Sequence, residues 1–202
     1  MNGFLLIDKP KGVTSSNCVY QLRKLLGIKK IGHCGTLDPL ATGLLPICIG
    51  EATKFSSFMS NLDKTYEVGI RFGIATDTGD IEGEVISKSN NNFDEKKVRN
   101  ILETFVGPQI QIPPMYSALK HKGKPLYWWA RKGVFLLRKE RNIIIHNIDL
   151  ISFENYQLNI KVSCTKGTYI RSLAESIGEA LLTKATVTSL RRLSIGNTET
   201  SQ

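Results

Sequence analysis

Asp38 is the residue of this 202-residue chain whose surroundings best fit chemistry. It lies in Lys30-Ile31-Gly32-His33-Cys34-Gly35-Thr36-Leu37-Asp38-Pro39-Leu40-Ala41-Thr42-Gly43, an acid between apolar neighbours, framed by glycines, with a histidine five residues before it. Glycine permits close backbone approach, so a segment of this kind can present a side chain at the lip of a cleft. Pro39 biases Asp38 towards an extended backbone, which projects the carboxylate from a turn. Leu37 and Leu40 can exclude water around it, and a sheltered carboxylate then needs a cation or hydrogen-bond donors. The same dipeptide also reads as a helix start, with Asp38 as N-cap and Pro39 at the first helical position. The stretch by itself leaves both readings open.

The string Gly32–Gly43 resembles the catalytic motif of the TruB family of tRNA pseudouridine synthases. Lys64-Thr65-Tyr66-Glu67, Ile112-Pro113-Pro114-Met115-Tyr116-Ser117-Ala118-Leu119-Lys120 and Lys166-Gly167-Thr168-Tyr169-Ile170-Arg171 resemble that family's other motifs, in the same chain order. Similarity runs from about Phe4 to Ile195, nearly the whole chain. The resemblance implies an isomerase that converts uridine-55 in the T-loop of tRNA to pseudouridine. The base is flipped out, its N-glycosidic bond is cleaved, and the ring is rejoined to the sugar through carbon-5. One well-placed carboxylate is the natural participant, as nucleophile or as base at the sugar. By the same resemblance Asp38 is catalytic and Arg171 is its ionic partner across the cleft. His33 lies against the RNA where bases are displaced, and Tyr66 and Tyr169 line the uracil pocket. Tyr66 stacks on the base and handles the carbon-5 proton. Leu190, in Ser189-Leu190-Arg191-Arg192, matches a pocket residue. No cofactor or metal is expected. The expected partner is the T-arm of tRNA, with no membrane and no obligatory protein partner, and the chain is expected to act as a monomer.

The chain departs from the family in two places. Cys34 stands where many members have threonine. The C-terminal accessory RNA-binding domain of longer members is expected to be absent or vestigial, leaving residues 1–202 as a single catalytic domain. A second reading is a non-catalytic RNA-binding or RNA-folding protein on the same scaffold. A guide-RNA-dependent relative shares the central motif but normally carries further domains and partners.

Composition agrees with a nucleic-acid partner. Net charge is +9, from 27 basic and 18 acidic side chains, and eight of the basic ones fall within Lys120–Arg141. Tyr127, Trp128 and Trp129 sit in the same segment, so cations for phosphates coincide with flat surfaces for bases. This segment is expected to be an RNA-facing arm. No apolar run approaches the ~18–20 residues of a membrane span, and Met1–Lys11 lacks the features of a signal peptide. The four cysteines show no CxxC pair or metal-ligand rhythm and are expected as reduced thiols in the cytoplasm. Gly27–Gly32 has phosphate-loop spacing but lacks the Lys-Ser/Thr that would follow it. Asp77-Thr78-Gly79 copies the aspartic-protease triplet, but occurs once, and such enzymes need two apposed aspartates.

The elements that must position these residues follow from periodicity. Phe4–Ile7 predicts a buried strand, Ser15 or Ser16 caps a helix ending at Gly27, and Leu44–Ile49 predicts a strand in which Pro46 hints at an edge or bulge. Phe55, Phe58, Met59 and Leu62 recur at helical spacing, as core residues. Tyr66–Phe72 alternates as a strand, Gly73–Gly83 is a turn-rich loop, and Phe93–Phe105 is helical. Gln109–Pro113 is extended and Tyr127–Lys132 a short helix. Ile143–Ile145, Leu150–Phe153 and Tyr156–Cys164 predict strands. Thr168 caps a helix with Arg171 in its first turn, where a cation opposes the macrodipole by roughly 0.3–1 kcal/mol unless an anion faces it. Thr186–Ile195 is a last strand. Helices and strands are interspersed without a βαβ rhythm, so the fold class is α+β with a mixed, mostly antiparallel sheet flanked by helices. The resemblance adds that it is pseudouridine-synthase-like, with the active site in a central basic cleft.

Overall fold

A computed structural model describes residues 1–199. The chain opens with β1 (Gly3–Lys9) and α1 (Ser15–Leu26). The cap of α1 is Thr14, whose Oγ1 accepts the Asn17 N–H at 3.1 Å. Ser15 is not available as the cap because its hydroxyl is turned inward onto the Leu37 backbone. Gly27 ends the helix in the left-handed conformation. Next come β2 (Ile31–His33), β3 (Thr42–Ile49), a 3₁₀ turn (Gly50–Phe55) and α2 (Ser56–Ser60). The expected helical stripe is thus broken into two short pieces. Phe55 and Phe58 are 60% and 65% exposed instead of buried, while Met59 packs on Cys34, Cys48 and Ala52.

β4 (Lys64–Phe72) is followed by a hairpin of β5 (Ile74–Thr76) and β6 (Val85–Lys88), in the stretch read from sequence as starting with a loop. α3 (Glu95–Thr104) is capped by Asp94, whose Oδ1 accepts the Lys97 N–H at 2.8 Å. β7 (Gly107–Gln111), the small hairpin β8 (Lys120–His121) and β9 (Lys124–Pro125), and α4 (Leu126–Ala130) come next. β10 (Arg141–Glu154) is one strand and not two, because bulges near Ile145 and Leu150 carry the ladder past polar positions. β11 (Gln157–Cys164), α5 (Ile170–Ala180), β12 (Ala185–Ile195) and β13 (Thr198–Glu199) complete the described chain. α5 begins after Tyr169 with no side-chain cap, since the Thr168 hydroxyl donates instead to the Thr165 carbonyl at 2.9 Å. The architecture is α+β with a mostly antiparallel sheet, as the interspersed elements predict.

The chain divides into two compact units, residues 1–67 with 189 onward, and residues 68–188. In the first, β1 pairs antiparallel along β3, and β3 runs parallel to β12 at Thr42 and Gly43. β2 pairs with the other end of β3, from Ile47 to Ile49. Pro46 therefore lies in an interior strand, but in the gap between these two pairings, where a missing N–H removes no ladder bond. Leu44, Leu45, Ile47 and Cys48 are buried. β1 is the outer strand, and Phe4, Leu5 and Leu6 are exposed where a buried strand was expected. In the second unit, β11 and β7 flank β10, both antiparallel to it. Its core joins Val98 and Leu102 of α3, the alternate residues Leu158, Ile160 and Val162 of β11, and Leu173 and Ile177 of α5. Phe72, Phe93, Phe153 and Tyr156 add a cluster of ring contacts.

Candidate active site

In the first unit, Asp38 lies in an irregular loop that links β2 to β3. No helix follows it, so the helix-start reading of Asp38-Pro39 is wrong. Leu37 and Leu40 on either side are buried, and their burial draws the chain inward where a helix would have carried it away. The loop is held by side chains remote in sequence. The Ser15 Oγ accepts the Leu37 N–H at 2.9 Å and donates to the Leu37 carbonyl at 3.0 Å. The buried Lys9 ammonium donates to the carbonyls of Pro10, Val13 and Pro39. Arg192 donates from Nε to the Leu44 carbonyl at 2.8 Å and from Nη2 to the Gly35 carbonyl at 3.2 Å.

The end of the loop is set by close backbone approach. A Cβ on Gly43 would stand 2.2 Å from the Arg192 carbonyl oxygen, and its φ is +96°. Only glycine fits both demands at once. His33 is half-buried, and burial, then the neighbouring Arg192 charge, holds its imidazole below the ordinary histidine value. It is therefore neutral at pH 7, suited to stacking or hydrogen bonding and not to acting as a phosphate-binding cation. Tyr66 is buried in β4 and hydrogen-bonds Arg192. Leu190 lies on β12 two residues before Arg192, on the same face of the strand, and is buried too. The first unit thus brings His33, Tyr66 and Leu190 to the surroundings of Arg192, and Asp38 lies three residues after Gly35 on the loop that Arg192 holds.

The second unit holds Tyr169 and Arg171. Gln111 clamps the Tyr169 backbone, accepting its N–H at 2.7 Å and donating to its carbonyl at 3.0 Å. Arg171 is 5% exposed. It donates from Nη1 to the Thr78 carbonyl and from Nη2 to the Tyr116 carbonyl, each at 2.7 Å, and its Nε lies 3.9 Å from Asp80 Oδ2. The Asp77-Thr78-Gly79 turn is thus part of the cradle of this arginine. Tyr116 completes it by donating its hydroxyl to Asp77 Oδ2 at 3.0 Å, and the Thr78 hydroxyl donates to Asp80 Oδ1 at 2.8 Å. A cation in the first turn of α5 is tolerated because these oxygens face it.

The basic segment also falls in this unit. The Lys132 ammonium stands 4.0 Å from the centre of the Trp128 ring and that of Lys124 5.7 Å away, while the Arg131 guanidinium is 5.5 Å from the Tyr127 ring. Phe135 and Leu137 are exposed nearby in sequence. Sequence reasoning missed Ser15, Lys9, Asp80, Gln111 and Arg192 as residues that position the site. They lie apart in the chain from the motifs they support and carry no spacing signal. Among the described residues no cluster of three or more His, Cys, Asp and Glu side chains can hold a metal ion, and no helix is long and apolar enough to cross a membrane.

Comparison with known proteins gives these residues a context. The family model described as TruB family pseudouridylate synthase (N terminal domain) matches residues 23–170. The chain is 51% identical over 196 residues to tRNA pseudouridine synthase B of Chromobacterium violaceum, covering 97% of this chain and 64% of that protein. It is 48% identical over 198 residues to the protein of the same name from Nitrosococcus oceani, covering 98% and 64%. It therefore spans just under two thirds of the length of these curated relatives. Among solved structures it is similar to a chain of a Cbf5-Nop10-Gar1 complex, with a TM-score of 0.78 and 29% identity over 98% of this chain and 50% of that one. A chain of an H/ACA RNP bound to a substrate RNA containing 2'-deoxyuridine has a TM-score of 0.74 and 26% identity, covering 98% and 49%.

Proposed function

The chain belongs to the TruB family of pseudouridylate synthases, and from that premise we propose that it isomerises uridine-55 in the T-loop of tRNA to pseudouridine. The observation that carries the reading is Asp38, on a loop flanked by buried leucines and fastened by buried polar side chains, in a chain 51% identical over 196 residues to a tRNA pseudouridine synthase B.

The reaction breaks the bond between uracil N1 and the sugar C1′ and makes a bond from uracil C5 to C1′. The C5 proton leaves and N1 ends protonated, so no net oxidant, reductant or group donor enters. Asp38 supplies the carboxylate, attacking C1′ or removing a proton from the sugar. Arg171 is assigned as its ionic partner, keeping it charged and aimed. Its turn-and-carbonyl cradle, with Asp80 beside it, limits the directions in which the guanidinium can point. Tyr66 receives the flipped base and handles the C5 proton, with Tyr169 and Leu190 completing the uracil pocket. The neutral His33 takes the place of a displaced base. The Lys120–Arg141 segment, with cations already seated on its rings, is assigned to the RNA backbone and bases. The enzyme is taken to act in the cytoplasm as a monomer, without an obligatory protein partner.

The test is to incubate the purified protein with a T-arm stem-loop and map pseudouridine at single-nucleotide resolution. Conversion at the T-loop uridine is expected from the wild type, and binding without conversion from Asp38→Asn. A wild-type protein that binds the stem-loop and leaves every uridine unchanged refutes the enzyme and leaves a non-catalytic RNA-binding protein.

A further inference from the structure

Arg192 has more to do than tie a loop. Its side chain is 1% exposed, and among the described residues no carboxylate pairs with it. The partners of the buried guanidinium are the Leu44 and Gly35 carbonyls and the Tyr66 hydroxyl. Burying a full charge against neutral oxygens is costly, and a neutral donor could hold two carbonyls at lower cost. A retained charge therefore points to the group on which its field falls. Burial lowers the affinity of this guanidinium for its proton, with Tyr66 the largest opposing influence.

The geometry narrows that group to Tyr66. A guanidinium has donors and no acceptor, so in this contact the tyrosine oxygen accepts and its own proton is directed elsewhere. The ring's direction is thereby set from its far end. The same guanidinium donates to Gly35, three residues before Asp38, and its backbone is packed against Gly43 at the end of the same loop. One rigid, planar fork thus fixes the phenol relative to the loop that carries the carboxylate, and both lie in one compact unit.

We propose that Arg192 is a positioning residue for the uridine isomerisation, acting through the Tyr66 hydroxyl. The inference rests on the activity proposed above. Arg192→Lys keeps the charge and loses the fork, so kcat on a T-arm stem-loop is expected to fall at least about 10-fold while KM stays within about 2-fold. In a Tyr66→Phe background the hydroxyl is already gone, and the same substitution should change the residual kcat by less than about 3-fold. An equal loss in both backgrounds, or a wild-type kcat for Arg192→Lys, overturns the proposal. A loss accompanied by the same fall in thermal midpoint in both backgrounds is a folding effect and overturns it too. Should Arg192→Lys not fold, Arg192→Gln, which keeps an amide donor without the charge, carries the same comparison. A wild type that isomerises nothing refutes the activity itself, and this inference with it, so the two failures are told apart by the unmutated protein.

Discussion

Ser15→Ala separates a side chain that builds the site from one that only builds a helix. Ser15 is 1% exposed, and its hydroxyl satisfies both the N–H and the carbonyl of Leu37, at 2.9 and 3.0 Å. Alanine removes both contacts at once and offers no room for water. Each buried polar group left unpaired costs about 1–3 kcal/mol, and local relaxation returns part of that, so a loss of about 2–4 kcal/mol is expected. That is a large share of the ~5–15 kcal/mol that holds a typical domain together. Thr14, one residue earlier, is the control. Its exposed cap bond to Asn17 is worth about 1 kcal/mol, and its removal should leave conversion of uridine unchanged. Urea unfolding of both variants measures stability. Pseudouridine formation at low temperature, where both are folded, measures the site. Ser15→Ala should also slow conversion, because Leu37 is the residue before Asp38. If Ser15→Ala costs no more than Thr14→Ala and converts uridine at the wild-type rate, the loop does not depend on this clamp and the reasoning fails.

Two further outcomes follow from burial. The Cys34 thiol is pushed up to about 12, first by desolvation and then by its contact with Cys48, whose sulfur is 2.6 Å away. Thiolate is the reactive form, so iodoacetamide at pH 8 should leave Cys34 unmodified in the folded protein and label it in urea; rapid labelling without urea refutes this. The Glu175 carboxyl is held above the ordinary glutamate value of 4.5, because burial outweighs the attraction of Arg171. A raised carboxylate favours folding below its unfolded value and loses that contribution as pH rises through the folded one. Glu175→Gln should therefore gain thermal stability relative to the wild type between pH 4 and pH 8, and a constant difference across that range counts against it.

Much of the catalytic constellation was legible because its parts are local strings. The glycines around Asp38, the tyrosine opening a strand after Lys64, and the arginine opening a helix after Gly167 each state a chemistry within a few residues. The buried stripes of α3 and α5 were legible for the same reason, since periodicity is a local property. What was misread depended on distant neighbours. Asp38-Pro39 carries a helix-start signal that burial of Leu37 and Leu40 overrides. Thr14 became the cap of α1 only because Ser15 was engaged with Leu37, 22 residues on.

By its residues alone this chain determined the order of its motifs, the positive charge of its surface and the acid that carries the chemistry. The tertiary structure decided which strand lies outermost, and hence that Phe4, Leu5 and Leu6 meet solvent. It also decided that Asp77-Thr78-Gly79 cradles Arg171, and that Arg192 joins Tyr66 to the Asp38 loop. The division has a physical origin: propensity and patterning act between residues a few apart, whereas desolvation and hydrogen bonding act between whichever groups folding brings together.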